Sequence, residues 1–147
     1  MGVYLSKPCI DVHIQEGTYQ DMVYTVGDMQ GWRKNMEDDH IIEPNVIIPG
    51  SKDIASVYAV FDGHGGKEVA VFCQYYFVEE MVKLDTFRTG QYDKALAETF
   101  LKIDTLLEGK LMFTCMNFIF EQICCVNVYM LLTPSFHKVF ICLFFCS

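Results

Sequence analysis

The chain has 147 residues, the size of one domain or of a piece of one. It is acidic, with 19 Asp and Glu against 11 Lys and Arg and a formal net charge of −8. That balance argues against a nucleic-acid partner, because few phosphate counterions could be released on binding. Seven cysteines, an odd number, stand at irregular spacing without a C-x-x-C pair, and the opening MGVYLSKPC lacks the apolar core of a secretory signal. Reduced thiols in a cytoplasmic protein are expected, rather than a disulfide framework or a structural zinc site.

Met1-Gly2-Val3-Tyr4-Leu5-Ser6 fits the N-myristoylation pattern, with Gly2 as acceptor and Ser6 in the required place. One acyl chain gives only weak, reversible membrane association, and Lys7 is the only basic residue nearby. Met22–Thr25 reads as a strand leading to a turn at Gly27–Gly31. Asp39–Ile48 holds two strand candidates, His40–Ile42 and Val46–Ile48, around Pro44. Ser56–Asp62 is a β-branched and aromatic run of strand length, and its near-continuous apolarity predicts burial on both faces.

The period then changes. In Lys67–Leu84, residues Val69, Cys73, Tyr76, Phe77 and Leu84 mark one side of a helix, with Glu79, Glu80 and Lys83 on the wetter side. Asp85–Gly90 breaks it. Tyr92–Leu107 reads as a second amphipathic helix with a stripe of Leu96, Phe100, Ile103 and Leu107, and both stripes are expected to be packing faces.

Composition shifts near Glu108. Beyond it the only charged residues are Lys110, Glu121 and Lys138, and the segment is rich in Cys and Phe without a clear period. Glu121, Pro134 and Lys138 interrupt it before any stretch reaches the ~18 apolar residues of a membrane span. Its Phe, Leu, Ile, Cys, Val, Tyr and Met have thymine-rich codons. Translated non-coding sequence is therefore the first reading, a buried extension the second and a membrane anchor the third. The segment is expected to be poorly ordered, or helical with exposed apolar area.

Two clusters carry chemistry. The first is Arg33-Lys34-Asn35-Met36-Glu37-Asp38-Asp39-His40, whose three successive carboxylates taken alone are as readily a solvated surface run. The second is Val60-Phe61-Asp62-Gly63-His64-Gly65-Gly66, in which an aspartate ends a buried strand shortly before a helix. Oxygen donors suit hard cations such as magnesium and manganese. A rigid strand end holds such a donor in place, and Gly63 lets its carbonyl come close to an ion. Near a helix start the dipole lowers the His64 pKa while carboxylates raise it; the balance could leave a general acid.

Competing motifs fail. A dinucleotide fingerprint needs glycine where Glu68 stands, and a P-loop needs Ser or Thr there. There is no G-x-S-x-G elbow and no cysteine followed six positions later by arginine. Metal-activated water remains.

Met29-Gln30-Gly31-Trp32-Arg33 with Met36-Glu37-Asp38, then Phe61-Asp62-Gly63-His64-Gly65-Gly66, resembles the opening of a eukaryotic protein phosphatase 2C catalytic domain. Phe100-Leu101-Lys102-Ile103-Asp104 resembles the next helix of that family, and the likeness covers most of Met1–Leu107. The resemblance implies an α+β fold: a β-sandwich of antiparallel sheets flanked by helices, here partial and truncated, with a non-family hydrophobic tail. Its expected divisions are an amino-terminal segment over 1–22, the first part of the catalytic domain over 23–108, and the tail over 109–147.

The resemblance also implies a protein serine/threonine phosphatase holding two Mn2+ or Mg2+ ions. Asp62 would bridge them, Gly63 would offer its carbonyl, and Glu37 and Asp38 would act largely through water. Arg33 would bind the substrate phosphate as a bidentate fork, and His64 would protonate the leaving oxygen. The implied partner is a phosphoprotein, with no nucleic acid and no oligomer evident. Asp39 departs from the small residue common in the family and adds a charge near the ions or faces solvent. The family's later aspartates are absent, since residues 109–147 contain no Asp. The rival reading is a catalytically dead fragment that keeps phosphate or partner binding.

Overall fold

The computed structural model describes residues 4–63, 67–114, 123–133 and 137–141, with side chains through residue 109. The fold is mixed α and β, built from antiparallel sheets and three helices. The chain divides into two compact units, Met1–Met36 and Glu37–Ser147.

The first unit holds β1 (Tyr4–Cys9), β2 (His13–Tyr19), β3 (Met22–Asp28) and β4 (Gly31–Arg33). β2 and β3 form a hairpin in continuous register from His13↔Asp28 to Tyr19↔Met22. Its two-residue turn puts Gln20 at φ +52°, the positive φ that suits the twist of a tight hairpin. Gly17 faces Tyr24 across the pair, and the Tyr24 ring fills the space that a Cβ at position 17 would need. The expected strand from Met22 thus runs through Gly27 to Asp28. β1 pairs antiparallel with β4 at an irregular register, Tyr4↔Arg33 and Cys9↔Gly31.

The second unit is a four-stranded antiparallel sheet in the order β5-β6-β7-β8, with β5 spanning Asp39–Ile47, β6 Ile54–Gly63, β7 Ile123–Thr133 and β8 His137–Ile141. The two strands expected around Pro44 are one bulged strand. Pro44 has no N–H to give to the ladder, and the register slips between Glu43 and Val46. The Ser56 hydroxyl, fully buried, donates to the Pro44 carbonyl at 2.8 Å and leaves that acceptor satisfied.

Helices α1 (Glu68–Met81), α2 (Asp85–Arg88) and α3 (Tyr92–Thr114) cover one face of this sheet. β6 sends Ala55, Val57, Ala59 and Phe61 into the core, where they meet Ala70, Cys73, Phe77 and Met81 of α1 and Ala95, Leu96 and Ile103 of α3. Phe77 is the hinge of this packing, with ring centroids 5.7 Å from Phe61 and 5.0 Å from Phe100. Val69, Tyr76, Phe100 and Leu107 of the expected stripes pack half-buried against the same cluster. The expected break at Asp85–Gly90 contains the single turn of α2.

One expectation is corrected here. β6 is not buried on both faces: its far end exposes Val60 (44 %) and Asp62 on the side away from the helices. α3 runs past the composition shift at Glu108 to Thr114. Beyond it, where the pattern fits neither period, the structure has β7 paired along β6 from Ile54↔Thr133 to Gly63↔Ile123, and β8 paired with β7. The physical reason is tertiary: Ile123–Thr133 (ICCVNVYMLLT) is rich in β-branched and aromatic residues, and β6 offers it a second ladder edge.

Candidate functional site

At its carboxyl end β6 alternates between core and solvent, and its last residue, Gly63, is buried. Phe61 is 1 % exposed against Phe77, and Asp62 next to it is exposed. Strand alternation puts Asp62 on the face opposite the helices.

β5 begins at that same end. Its register begins with Asp39 opposite Phe61, and Asp38 immediately precedes that first pair. Glu37, half-buried, precedes the exposed Asp38. Glu37 and Asp38 immediately precede β5, and Asp62 and Gly63 end β6, so all four adjoin in sequence the Asp39↔Phe61 end of the pair. His64 and Gly2 lie outside the described residues. Arg33 is exposed at the end of β4, in the first unit.

Asp39 does not join Asp62. Facing Phe61, it takes the helix-covered side, is half-buried, and its Oδ1 accepts the His40 backbone N–H at 2.8 Å. His40 pairs with Val60 and so shares the face of Asp62, in a diagonal position. The sequence assigned it no role, although its period-two spacing from Asp38 was the available signal.

The donors gathered here are all oxygens, the chemistry that Mg2+ and Mn2+ take. Among the described residues no group of three or more His, Cys, Asp or Glu stands placed to hold a metal ion. The oxygen donors at this strand end are of the type such an ion takes, and among the described residues they do not by themselves make up a ligand set.

Two other groups are set aside by their surroundings. Cys73 is buried beneath α3; burial, reinforced by the nearby Asp104 charge, pushes its thiol up to about 12, which removes it as a nucleophile. Asp104 is exposed on α3, and partial desolvation and then the Glu108 charge raise its pKa. Among the described residues no helix is long and apolar enough to cross a membrane.

Comparison with known proteins places this α+β chain in a family. The family model of protein phosphatase 2C matches residues 22–134, a span that enters the Cys- and Phe-rich segment. Protein phosphatase 2C 1 of Paramecium tetraurelia is 46 % identical over 107 residues, covering 73 % of this chain and 34 % of the relative. Protein phosphatase 2C homolog 2 of Saccharomyces cerevisiae is 41 % identical over 107 residues, 73 % of this chain and 23 % of the relative. Probable protein phosphatase 2C 21 of Arabidopsis thaliana is 34 % identical over 110 residues, 75 % of this chain and 30 % of the relative. The chain belongs to the protein phosphatase 2C family. It spans about a third of the length of the curated relatives it matches.

Proposed function

We propose that this chain supplies part of the site of a metal-dependent protein serine/threonine phosphatase. What supports the reading is the position of Glu37 and Asp38 just before β5 and of Asp62 and Gly63 at the end of β6, next to the Asp39↔Phe61 pair, in a chain of this family. Asp62 and the Gly63 carbonyl would hold Mn2+ or Mg2+ directly, with Glu37 and Asp38 acting through water. When bound, the ions supply an acidified water and offset charge building on the phosphoryl group.

The chain's own residues do the rest. The Arg33 guanidinium, always charged, presents paired N–H donors to two phosphate oxygens and fixes the phosphoryl group. His64 gives a ring proton to the departing serine or threonine oxygen. The substrate is a phosphoprotein, the protein is cytoplasmic, and an acyl group on Gly2 adds weak membrane association. A second reading, a fragment that binds phosphate or a partner without turnover, is favoured by one observation: residues 109–147 bring no further Asp to the site.

The test is Mn2+ binding followed by electron paramagnetic resonance, in a catalytic domain completed to the length of the relatives. Asp62→Asn should weaken binding at least about tenfold, whereas Glu79→Gln on the outer surface of α1 should leave it unchanged. Equal Mn2+ affinity in Asp62→Asn and the parent would remove Asp62 from the metal site.

A further inference from the structure

Gln30 stands between β3 and β4 and is half-buried. Its side-chain Nε2 donates to the backbone carbonyl of Arg33 at 2.8 Å and to that of Lys34 at 2.8 Å. A primary amide carries two N–H donors on one nitrogen, so one atom serves both acceptors. Because both neighbours are carbonyl oxygens, only the nitrogen end of the amide fits there, which fixes the orientation chemically.

The clamp closes over a segment with little else to stiffen it. β4 has three residues and, among the described residues, pairs only with β1, at an irregular register. Gly31 at its start has φ +66°, a backbone state that glycine adopts freely, and a Cβ there would meet nothing within 4 Å. Bends at Lys34 and Asn35 follow directly. Without Gln30 the carbonyls of residues 33 and 34 would have to find water, and the turn would lose two bonds that span it.

We propose that Gln30 is a positioning residue for Arg33: its amide locks the Arg33–Lys34 turn and so fixes the base from which the guanidinium reaches phosphate. The role rests on the reading of Arg33 as the phosphate-binding group. An arginine side chain loses much rotamer freedom when it engages a ligand. A fixed backbone keeps that loss from being compounded, and placement errors near an ångström are costly in a site of this kind.

The test uses the chain itself, labelled with 15N, and two variants. Gln30→Met keeps length and removes both donors; Gln30→Glu keeps shape and sets carboxylate oxygens against two carbonyls. Order parameters at the Arg33 and Lys34 amides should be about 0.85 in the parent and fall below about 0.6 in both variants. Titration with inorganic phosphate, read at the Arg33 Nε–H, should show affinity about 5- to 10-fold weaker in both. With binding followed instead at the Lys34 backbone amide, Gln30→Met added to Arg33→Ala should cost nothing further, since its effect runs through Arg33.

Unchanged order and unchanged phosphate affinity in both variants would overturn the proposal, and so would a full additional loss in the double variant. If Gln30→Met melts the unit as a whole, Gln30→Lys decides. It restores donors, so recovery of order and affinity supports the clamp and failure to recover overturns it. If Arg33 of the parent gives no response to phosphate, the phosphate role of Arg33 fails, while the order parameters still judge the clamp.

Discussion

Phe77→Ala should be the most damaging single truncation in the core of the second unit. Phe77 is fully buried, and its ring meets Phe61 of β6 at 5.7 Å and Phe100 of α3 at 5.0 Å, so one side chain joins sheet, α1 and α3. Truncating a buried Phe costs about 3–5 kcal/mol through lost transfer energy and the cavity left behind. Both ring contacts are favourable geometries that place this site toward the upper part of that range. A domain of this size has about 5–15 kcal/mol in total, so the loss is a large share of it. At about 4 °C or more per kcal/mol, the melting temperature should fall by roughly 15 °C.

Tyr75→Ala on the same helix is the internal comparison, because Tyr75 is 69 % exposed and its loss should cost less than about 0.5 kcal/mol. Urea unfolding followed by far-ultraviolet circular dichroism measures both, with the slope expected to stay constant. A Phe77→Ala midpoint within error of Tyr75→Ala would refute the packing described here.

Further outcomes concern pH, lipid and turnover. Partial desolvation and the Glu108 charge raise the Asp104 pKa in the folded chain. The folded state therefore holds that proton more tightly than the unfolded one, and stability falls as pH rises through the unfolded and then the folded value. Asp104→Asn should flatten this slope and raise the urea midpoint at neutral pH; an unaltered slope would show that Asp104 does not contribute. Co-expression with a myristoyltransferase should add one acyl group at Gly2, lost in Gly2→Ala, and an unmodified intact mass would remove the lipid. The 147-residue chain alone should hydrolyse a phosphothreonine peptide far more slowly than a completed catalytic domain. Chelator-sensitive turnover equal to that of the completed domain would show that no further carboxylates are needed.

Much of the second unit was legible because local pattern and tertiary packing agree. Cys73 and Phe77 at helical spacing on α1, and Leu96 and Ile103 on α3, were placed on the buried faces they occupy. The strand ending at Asp62 was readable from β-branched and aromatic residues. Other features depend on partners that sequence distance hides. The Asp39↔Phe61 pairing beside Asp38 and Asp62 is set by the β5–β6 register, and Pro44 lies at a register slip within one strand where the sequence offered two. Gln20, Gly17 and the exposed β1 were illegible for a different reason: their conformations come from a turn, from the Tyr24 ring and from pairing with β4. β7 shows the same limit, since an aperiodic apolar run becomes a strand when β6 offers an edge.

Hydrolysis of a phosphothreonine peptide by the completed catalytic domain, with Mn2+ present and then chelated, tests the central claim most directly when Asp62→Asn is run beside the parent. Turnover should need the metal, and Asp62→Asn should lower it by at least about a hundredfold. Hydrolysis that survives chelation, or an Asp62→Asn rate equal to the parent's, would contradict a catalytic metal held at the end of β6.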